Sequence, residues 1–146
     1  MQKIDKRFLI TKSEATDKKY INDKLNDFNK SCVPFLQDDV IFLDYVIKDG
    51  DTVVAGINCL MYCWEIAAFV DILFVEESYR NQGLGSILLN KVEHEAKQQG
   101  ATLIHLDTFD FQAKDFYLKH GYEIFGILDN CPPGHKKYYL KKGLKD

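Results

Sequence analysis

The sequence has few of the features that mark specialised protein classes. Its four cysteines, at positions 32, 59, 63 and 131, form no C-x-x-C pair. No histidine stands at metal-ligand spacing from them, so neither a zinc site nor a disulfide framework is predicted. No apolar run reaches the roughly 18 residues that span a bilayer, and the first residues, M-Q-K-I-D-K-R-F, lack the apolar centre of a signal peptide. We therefore expect a soluble cytoplasmic protein with no bound metal and no membrane partner.

Common nucleotide-binding motifs are absent as well. A P-loop requires G-x-x-x-x-G-K-[ST], and a dinucleotide fingerprint requires G-x-G-x-x-G followed by an acidic residue on the next strand. The chain contains neither motif. Its net charge of −3 and pI near 5.8 also argue against a nucleic-acid partner, because such proteins bind through a basic surface. A regulator that binds ATP or NAD is therefore a weak hypothesis.

Size and composition are those of an ordinary globular protein. The 146 residues are 46% hydrophobic and 28% charged, which falls within the usual range for folded domains. Single domains typically contain about 100 to 200 residues. We therefore expect one domain that spans residues 1–146, as a monomer or a homodimer.

The segment from Val70 to Lys91 carries the strongest functional signal. An apolar run ends in a turn that contains Gly83 and Gly85, and an amphipathic stretch follows directly, which predicts a strand leading into a helix. Glycine inside a helix costs about 1 kcal/mol relative to alanine, so two glycines at a helix start indicate a close approach to the backbone. Helix N-termini bind anions, and Arg80 adds a cation. The turn predicts a site for phosphate or pyrophosphate.

Two motifs resemble those of the GNAT superfamily of acyl-CoA-dependent N-acyltransferases. The run R-N-Q-G-L-G, from Arg80 to Gly85, matches the signature [Q/R]-x-x-G-x-[G/A]. The run D-T-F-D-F-Q-A-K-D-F-Y-L-K-H-G-Y, from Asp107 to Tyr122, resembles A-x-x-[FL]-Y-x-x-x-G-[FY]. The motifs agree in order and in separation, and the resemblance covers residues 57–140 well and the first fifty residues loosely.

The resemblance implies an α+β fold, in which helices flank a mixed, mostly antiparallel sheet with a splayed central strand pair. Periodicity and turn signals predict the element order β-α-(α)-β-β-β-α-β-α-β-β. The predicted elements are an N-terminal strand near Phe8–Thr11, a helix with Tyr20, Ile21, Leu25 and Phe28 on one face, strands at 41–47, 52–62 and up to Val75, the helix after the glycine turn, a strand from Thr102 to Asp107, a helix at 112–119, and strands at 122–128 and 136–141.

Acetyl-CoA is the cosubstrate that the resemblance implies. In the family, pantetheine enters the gap between the splayed strands, which places its backbone contacts here at Phe74 and Val75. The pyrophosphate would rest on the turn formed by Arg80, Asn81, Gln82, Gly83, Leu84, Gly85 and Ser86. Family members often carry Asn three residues before the motif alanine, where this chain has Asp110. The amide of Gln112 is a candidate replacement.

The reaction requires a proton taken from the amine and a proton or hydrogen bond given to the thiolate. Tyr117 stands at the position of the family's tyrosine and is the candidate acid, although it could instead be a core residue beside Phe116. Strand alternation places Glu65, Phe69, Asp71, Leu73 and Val75 on one face. Asp71 is the first candidate base and Glu65 the second, and Asp71 could equally have a purely structural role.

The acceptor is predicted to be a small-molecule amine. Four aromatic residues, Phe35, Phe42, Tyr62 and Trp64, could line a cleft for it, and the loop at 129–137 commonly borders the acceptor cleft in this fold. A peptide or protein amine is the alternative acceptor. A module that binds acyl-CoA without catalysis is the alternative function, against which the Tyr117 and Asp71 pair argues.

Overall fold

The computed structural model describes residues 5–35, 39–61, 64 and 66–144. The chain divides after residue 35 into two compact units. The first contains helix α1 (Ala15–Cys32), which starts with a capping box between Glu14 and Asp17 and ends before Val33. The predicted apolar residues of this helix, Tyr20, Ile21, Leu25 and Phe28, are exposed. No second helix follows in residues 33–35.

In its described residues, the second unit is a seven-stranded sheet with two α-helices. Its elements are β1 (Ile41–Phe42), β2 (Tyr45–Asp49), β3 (Thr52–Met61), β4 (Ala67–Val75), α2 (Leu84–Gln98), β5 (Leu103–Phe109), α3 (Lys114–Lys119), β6 (Glu123–Asp129) and β7 (Lys136–Gly143). The strand order is β1-β3-β4-β5-β7-β6, with β2 also paired to β3. Among the described strands, only β4 and β5 pair in parallel. The mixed, mostly antiparallel sheet confirms the predicted fold class.

The core lies between the sheet and α2. Leu88, Leu89, Val92 and Ala96 of this helix are buried against β3 and β4, which agrees with the amphipathic helix that the sequence predicts. Burying these side chains stabilises the fold by roughly 25 cal/mol for each Å² of apolar surface removed from water. The same packing fixes the start of α2 beside the end of β4.

Strand β4 contains a bulge at Asp71. Along β3, Asn58 is opposite Ile72 and the next residue, Cys59, is opposite Val70, so Asp71 has no partner on β3. An extra residue of this kind bends a strand and reverses the alternation of its side chains. The bulge therefore changes the direction of β4 just before the glycine turn.

One strand predicted at the start of the chain is absent, and a second is divided. Residues 8–14 have no regular structure, and among the described residues no strand pairs with them. The strand predicted at 41–47 is divided into β1 and β2 because the Asp44 carboxylate accepts a hydrogen bond from Cys59 N at 3.1 Å. The Asp44 carboxylate thus takes the place of the backbone carbonyl that would otherwise continue the hydrogen bonding between the two strands.

Within the described residues, none of the helices is long and apolar enough to cross a membrane.

Candidate active site

The central parallel strands separate and leave a cleft. Strands β4 and β5 pair only from Ala67 to Val70 and from Leu103 to Leu106, although β4 continues to Val75 and β5 to Phe109. Beyond the pairing, one edge of β4 stays bonded to β3 and the other edge faces an open cleft of about 1110 Å³. This arrangement is the splayed strand pair that the resemblance implies.

Most of the predicted site residues lie around this one cleft. Those that line it are Asp71, Phe74, Val75, Arg80, Asn81, Gly83, Leu84, Gly85, Ser86, Gln112 and Tyr117. Gln82 is exposed and is not among the lining residues. Glu65, the second candidate base, and Tyr62 lie outside the described residues, and Phe42 and Trp64 do not line the cleft.

The glycine turn presents bare backbone at the start of α2. Gly83 is the N-cap residue with φ of 81°, and no side chain caps the helix. A Cβ at Gly85 would lie 3.3 Å from Cζ of Phe116, so this glycine lets α2 approach α3. The first hydrogen bond of the helix runs from Ile87 N to Gly83 O. The earlier N–H groups have no intrahelical partner and form a cradle that fits a pyrophosphate.

Arg80 is held beside this cradle by the preceding strand. Its Nε donates a hydrogen bond to Val75 O at 3.0 Å, which leaves the terminal nitrogens of the guanidinium for another partner. The cation therefore stands between the end of β4 and the helix N-terminus. The charge of Arg80 and the partial positive charge of the helix N-terminus both attract an anion to this position.

Ser86 is joined to the helix on the other side of the cleft. Its Oγ lies 2.9 Å from Nε2 of His120, and the other ring nitrogen of His120 lies 2.7 Å from Phe116 O. The ring of His120 also packs on that of Phe116, with centroids 4.3 Å apart. The hydrogen bond therefore links the third residue of α2 to the residue that follows α3.

Tyr117 is buried at the wall of the cleft. Its side chain is 6% exposed, and its ring meets those of Phe116 and Tyr122 edge to face. Burial, together with the nearby charge of Asp107, raises the pKa of Tyr117 to about 12. The phenol therefore keeps its proton throughout the neutral pH range, so that it is available as a hydrogen-bond donor. Its packing gives Tyr117 a structural role, and the same side chain also lines the cleft.

Asp71 lies at the bulge and is exposed to the cleft. The prediction that it shares a face with Phe69, Leu73 and Val75 is wrong. Val70 is buried before the bulge, whereas Leu73 and Val75 pack against the core after it. The residues that face the core are therefore even-numbered before the bulge and odd-numbered after it. Phe69 instead packs on the other face against His105, with ring centroids 5.1 Å apart.

The end of β5 is organised by Asp110. Its carboxylate accepts hydrogen bonds from His135 Nδ1 at 2.8 Å and from Lys136 N at 3.0 Å, which fixes the loop between β6 and β7. Gln112 turns its side-chain oxygen towards β5, where it accepts a hydrogen bond from Phe109 N at 2.8 Å. The NH₂ group of Gln112 is thereby left for the cleft, as an amide donor near the position where the family has Asn.

Opposite charges are distributed unevenly around the cleft. Its acidic lining residues are Asp71, Asp107, Asp110 and Asp115, and its basic ones are Arg80 and Lys114. Arg80 lies beside the helix N-terminus, while Asp71 lies at the bulge of β4. A cleft of this kind has a positive end for an anion and acidic groups for a cationic amine. Among the described residues, no group of three potential metal ligands comes together.

Comparison with known proteins assigns the family. The acetyltransferase (GNAT) family matches residues 8–122, which is well over half of the chain. The chain therefore belongs to the GNAT family of acetyltransferases. The order of strands, the splayed pair and the glycine turn are the features through which this chain resembles that family.

Several relatives show how far the similarity extends. The chain is 37% identical over 76 residues to blasticidin-S acetyltransferase of Streptomyces morookaense, and the match covers 51% of this chain and 56% of that protein. It is 29% identical over 132 residues to an acetyltransferase of Agrobacterium fabrum, covering 89% of this chain and 93% of that one. The chain thus spans little more than half of the first relative and nearly all of the second.

Solved structures agree with the fold. An acetyltransferase from Bacillus cereus has a TM-score of 0.87 and 32% identity, covering 94% of this chain and 98% of its own. An aminoglycoside 6′-N-acetyltransferase complexed with coenzyme A has a TM-score of 0.65, with 94% and 98% covered. Its identity is 19%, so it shows the shared fold alone.

Three residues that make contacts around the cleft have no functional role in the predictions from the sequence. His120 and His135 are not among the candidate residues, and Asp110 is a departure from the family motif. Each acts through a partner that is distant in the chain: His120 through Ser86, and Asp110 through His135. The available signal was the position of His120 beside Gly121 in the second motif, but spacing alone does not identify its partner.

Proposed function

We propose that this protein is an N-acetyltransferase that transfers the acetyl group of acetyl-CoA to the primary amine of a small molecule. The observation that carries the proposal is the position of the splayed strands, which open directly beside the bare N-terminus of α2. The gap accepts a slender chain and the helix start accepts an anion. Acetyl-CoA has both parts, a pantetheine arm and a pyrophosphate.

The free edge of β4 supports the binding of the arm. Phe74 and Val75 pair with β3 on one edge, so the backbone on the other edge is the proposed partner of the pantetheine amides. The N–H groups of Leu84, Gly85 and Ser86, together with Arg80, are the proposed partners of the pyrophosphate. Asn81, Gln82 and Gly83 shape the turn, and the NH₂ group of Gln112 is a proposed donor across the cleft.

The proposed reaction is direct attack of the amine on the thioester. The nitrogen forms a bond to the acetyl carbon, the carbon–sulfur bond breaks, and the amine proton leaves to Asp71, directly or through a water. The products are the acetamide and CoA thiol. Asp71 is proposed as the base because it lies in the cleft at the bulge; Glu65 remains the second candidate.

The raised pKa of Tyr117 supports one of the two roles that a proton donor at the sulfur could have. A phenol with a pKa of about 12 would give its proton to a thiolate with a pKa near 8.5 at a cost of about 5 kcal/mol. Complete transfer in the transition state is therefore unfavourable. We assign Tyr117 the role of a hydrogen-bond donor that stabilises the charge on sulfur. The thiolate then takes a proton from solvent, and Asp71 releases the amine proton to solvent.

The acceptor class is inferred from the cleft and from one relative. Acidic groups in the cleft favour a cationic amine, and the relative named for blasticidin-S acts on a small molecule. A peptide amine is the alternative acceptor, and a non-catalytic acyl-CoA sensor is the alternative function.

A cytoplasmic location is part of the proposal, since Cys32, Cys59 and Cys131 are free thiols, the state that reducing compartments maintain.

The test is release of free CoA thiol from acetyl-CoA, measured with a colorimetric thiol reagent. The panel contains blasticidin S, aminoglycosides, polyamines, amino acids and basic peptides, with the Tyr117→Phe protein alongside. Release that requires one small-amine class and falls in the variant supports the proposal. Release with peptides alone would replace the acceptor, and thermal stabilisation by CoA without any release would favour the sensor.

A further inference from the structure

The hydrogen-bond partners of His120 fix the position of its proton. Its Nδ1 lies 2.7 Å from Phe116 O, and a carbonyl oxygen only accepts, so Nδ1 carries a hydrogen. In the neutral ring Nε2 then carries a lone pair and no hydrogen, so it can only accept a hydrogen bond. The Ser86 hydroxyl, 2.9 Å from Nε2, must therefore donate its hydrogen to His120.

This arrangement prevents the Ser86 hydroxyl from donating a hydrogen bond to an anion. Ser86 is the third residue of α2 and lines the cleft at the proposed pyrophosphate site. While its hydrogen is bonded to His120, the hydroxyl presents only lone pairs to the cleft. Lone pairs repel a phosphate oxygen, so the neutral form of His120 opposes the function of the cradle around it.

We propose that His120 is a positioning residue for the cosubstrate and takes up a proton when the pyrophosphate of CoA binds. The inference rests on the proposed function. With a proton on Nε2, the ring donates to Ser86 Oγ, and the Ser86 hydrogen is released to donate to a phosphate oxygen. The proton comes from solvent, so that up to one proton is taken up for each CoA bound, and no covalent bond to carbon, sulfur or phosphorus changes.

The surroundings of His120 favour this protonation once the anion is present. The ring lies at the C-terminus of α3, where backbone carbonyls carry partial negative charge. Among the charged residues of the neighbouring elements, Lys119 of α3 directly precedes His120 in the chain, and Lys142 of β7 pairs with Glu93 of α2. Lys142 passes beside Gly121 but is paired with Glu93 at 2.9 Å, so its charge is largely compensated. The pyrophosphate then supplies the uncompensated negative charge.

The pH dependence has a definite sign. In the proposed complex His120 holds a proton that the free protein lacks. Because a proton is taken up on binding, a rise in pH opposes binding. CoA affinity should therefore fall as the pH increases through the neutral range.

The experiment is titration calorimetry of the whole protein with dephospho-CoA at about pH 7.5, above the ordinary pKa of histidine. Repeating the titration in buffers of different ionisation enthalpy gives the number of protons taken up. Dephospho-CoA is chosen because the 3′-phosphate monoester of CoA itself titrates near pH ~6. The variants are His120→Gln, whose amide NH₂ replaces a protonated Nε2 without titrating, and Ser86→Ala. His94→Gln, an exposed position on α2, is the matched control.

The expected result is proton uptake in the wild type and in His94→Gln, and none in His120→Gln or Ser86→Ala. His120→Gln should keep most of the affinity, with little pH dependence, whereas Ser86→Ala should lose about tenfold. Binding without proton uptake in the wild type, or uptake that persists in His120→Gln, overturns the inference and leaves the proposed function standing. No binding of CoA or dephospho-CoA at any pH overturns the proposed function and this inference together.

Discussion

Asp110 holds His135 against the end of β5 through a hydrogen bond of 2.8 Å between Oδ1 and Nδ1. The other carboxylate oxygen accepts from Lys136 N at 3.0 Å, and Asp110 N donates to Lys136 O at the same distance. His135 also meets the ring of Phe111, an exposed lining residue of the cleft, edge to face. One carboxylate therefore fixes the loop between β6 and β7 beside the cleft.

Asp110→Ala should release this loop. The methyl group accepts no hydrogen bond, so the bonds from His135 and Lys136 are both lost. We expect faster hydrogen exchange at the Lys136 amide and unchanged exchange at Leu140, which is buried in the same strand. Equal exchange at Lys136 in both proteins would show that β7 holds the loop without the carboxylate.

The charge of Asp110 gives the same pairing a pH dependence. Partial desolvation raises its pKa, but the hydrogen bonds from His135 and Lys136 outweigh this, and the net effect is a pKa below the ordinary 3.8. A lowered pKa means that the stabilisation is present above pH 3.8 and is lost as the pH falls through the lowered value. The loop should therefore stay fixed throughout the neutral range.

Gly83→Glu should abolish CoA binding. The substitution places a side chain and a negative charge at the N-cap of α2, where the proposed pyrophosphate binds, at a φ of 81° that disfavours any side chain. Gly50→Glu is the matched control, because Gly50 has φ of 61° and open space around its Cα but lies in the turn between β2 and β3. Both variants bear the same backbone strain, so thermal stabilisation by CoA should be lost only at position 83. Loss in both, or in neither, would contradict an anion site at this turn.

Tyr117→Phe should lower kcat about 10²-fold and leave CoA affinity nearly unchanged. The ring would keep its contacts with Phe116 and Tyr122, while the hydrogen bond to the departing sulfur would be absent. Since the pKa of Tyr117 is about 12, the wild type should show no loss of activity from tyrosine ionisation below about pH 11. Steady-state rates and the CoA dissociation constant are the measurements. Full activity in the variant would leave Tyr117 with a packing role alone.

Leu89→Ala should destabilise the protein by about 3 kcal/mol, in the range for a fully buried leucine. Leu89 is 0% exposed beneath the sheet, whereas Ile87, two residues earlier on α2, is 57% exposed. Ile87→Ala is therefore a control with the same helix and similar chemistry, and it should change stability little. Urea unfolding of both variants measures the difference. Similar losses for the two would contradict the placement of the core on this face.

The sequence predicted the parts of the fold that local patterns encode. The glycine turn, the amphipathic α2 and the second motif follow from residues close together in the chain, and each is found where it was predicted. The prediction of an N-terminal strand is wrong because Phe8, Leu9 and Ile10 have the composition of a strand but no described strand pairs with them. Composition alone does not supply a hydrogen-bonding partner.

The functional contacts that escaped prediction depend on tertiary structure. Ser86 and His120 are 34 residues apart, and Asp110 and His135 are 25 apart. No periodic pattern joins such residues, because α2, α3 and the β6–β7 loop are brought together by the packing of the sheet. Ser86 directly follows the first family motif and His120 lies within the second, but neither motif specifies the hydrogen bond between them.

Asp71→Asn tests whether the bulge of β4 carries the base. The bulge inserts Asp71 into a strand where simple alternation would have continued the apolar pattern, and it leaves the carboxylate facing the cleft. If this carboxylate accepts the amine proton, kcat should fall by about 10²-fold and the acidic limb of the pH–rate profile should disappear. Asp115→Asn is the matched control, since Asp115 is also an exposed carboxylate that lines the cleft, and it should leave both unchanged. An unaltered acidic limb in Asp71→Asn would exclude Asp71 as the base, and Glu65→Gln would then be measured in the same assay.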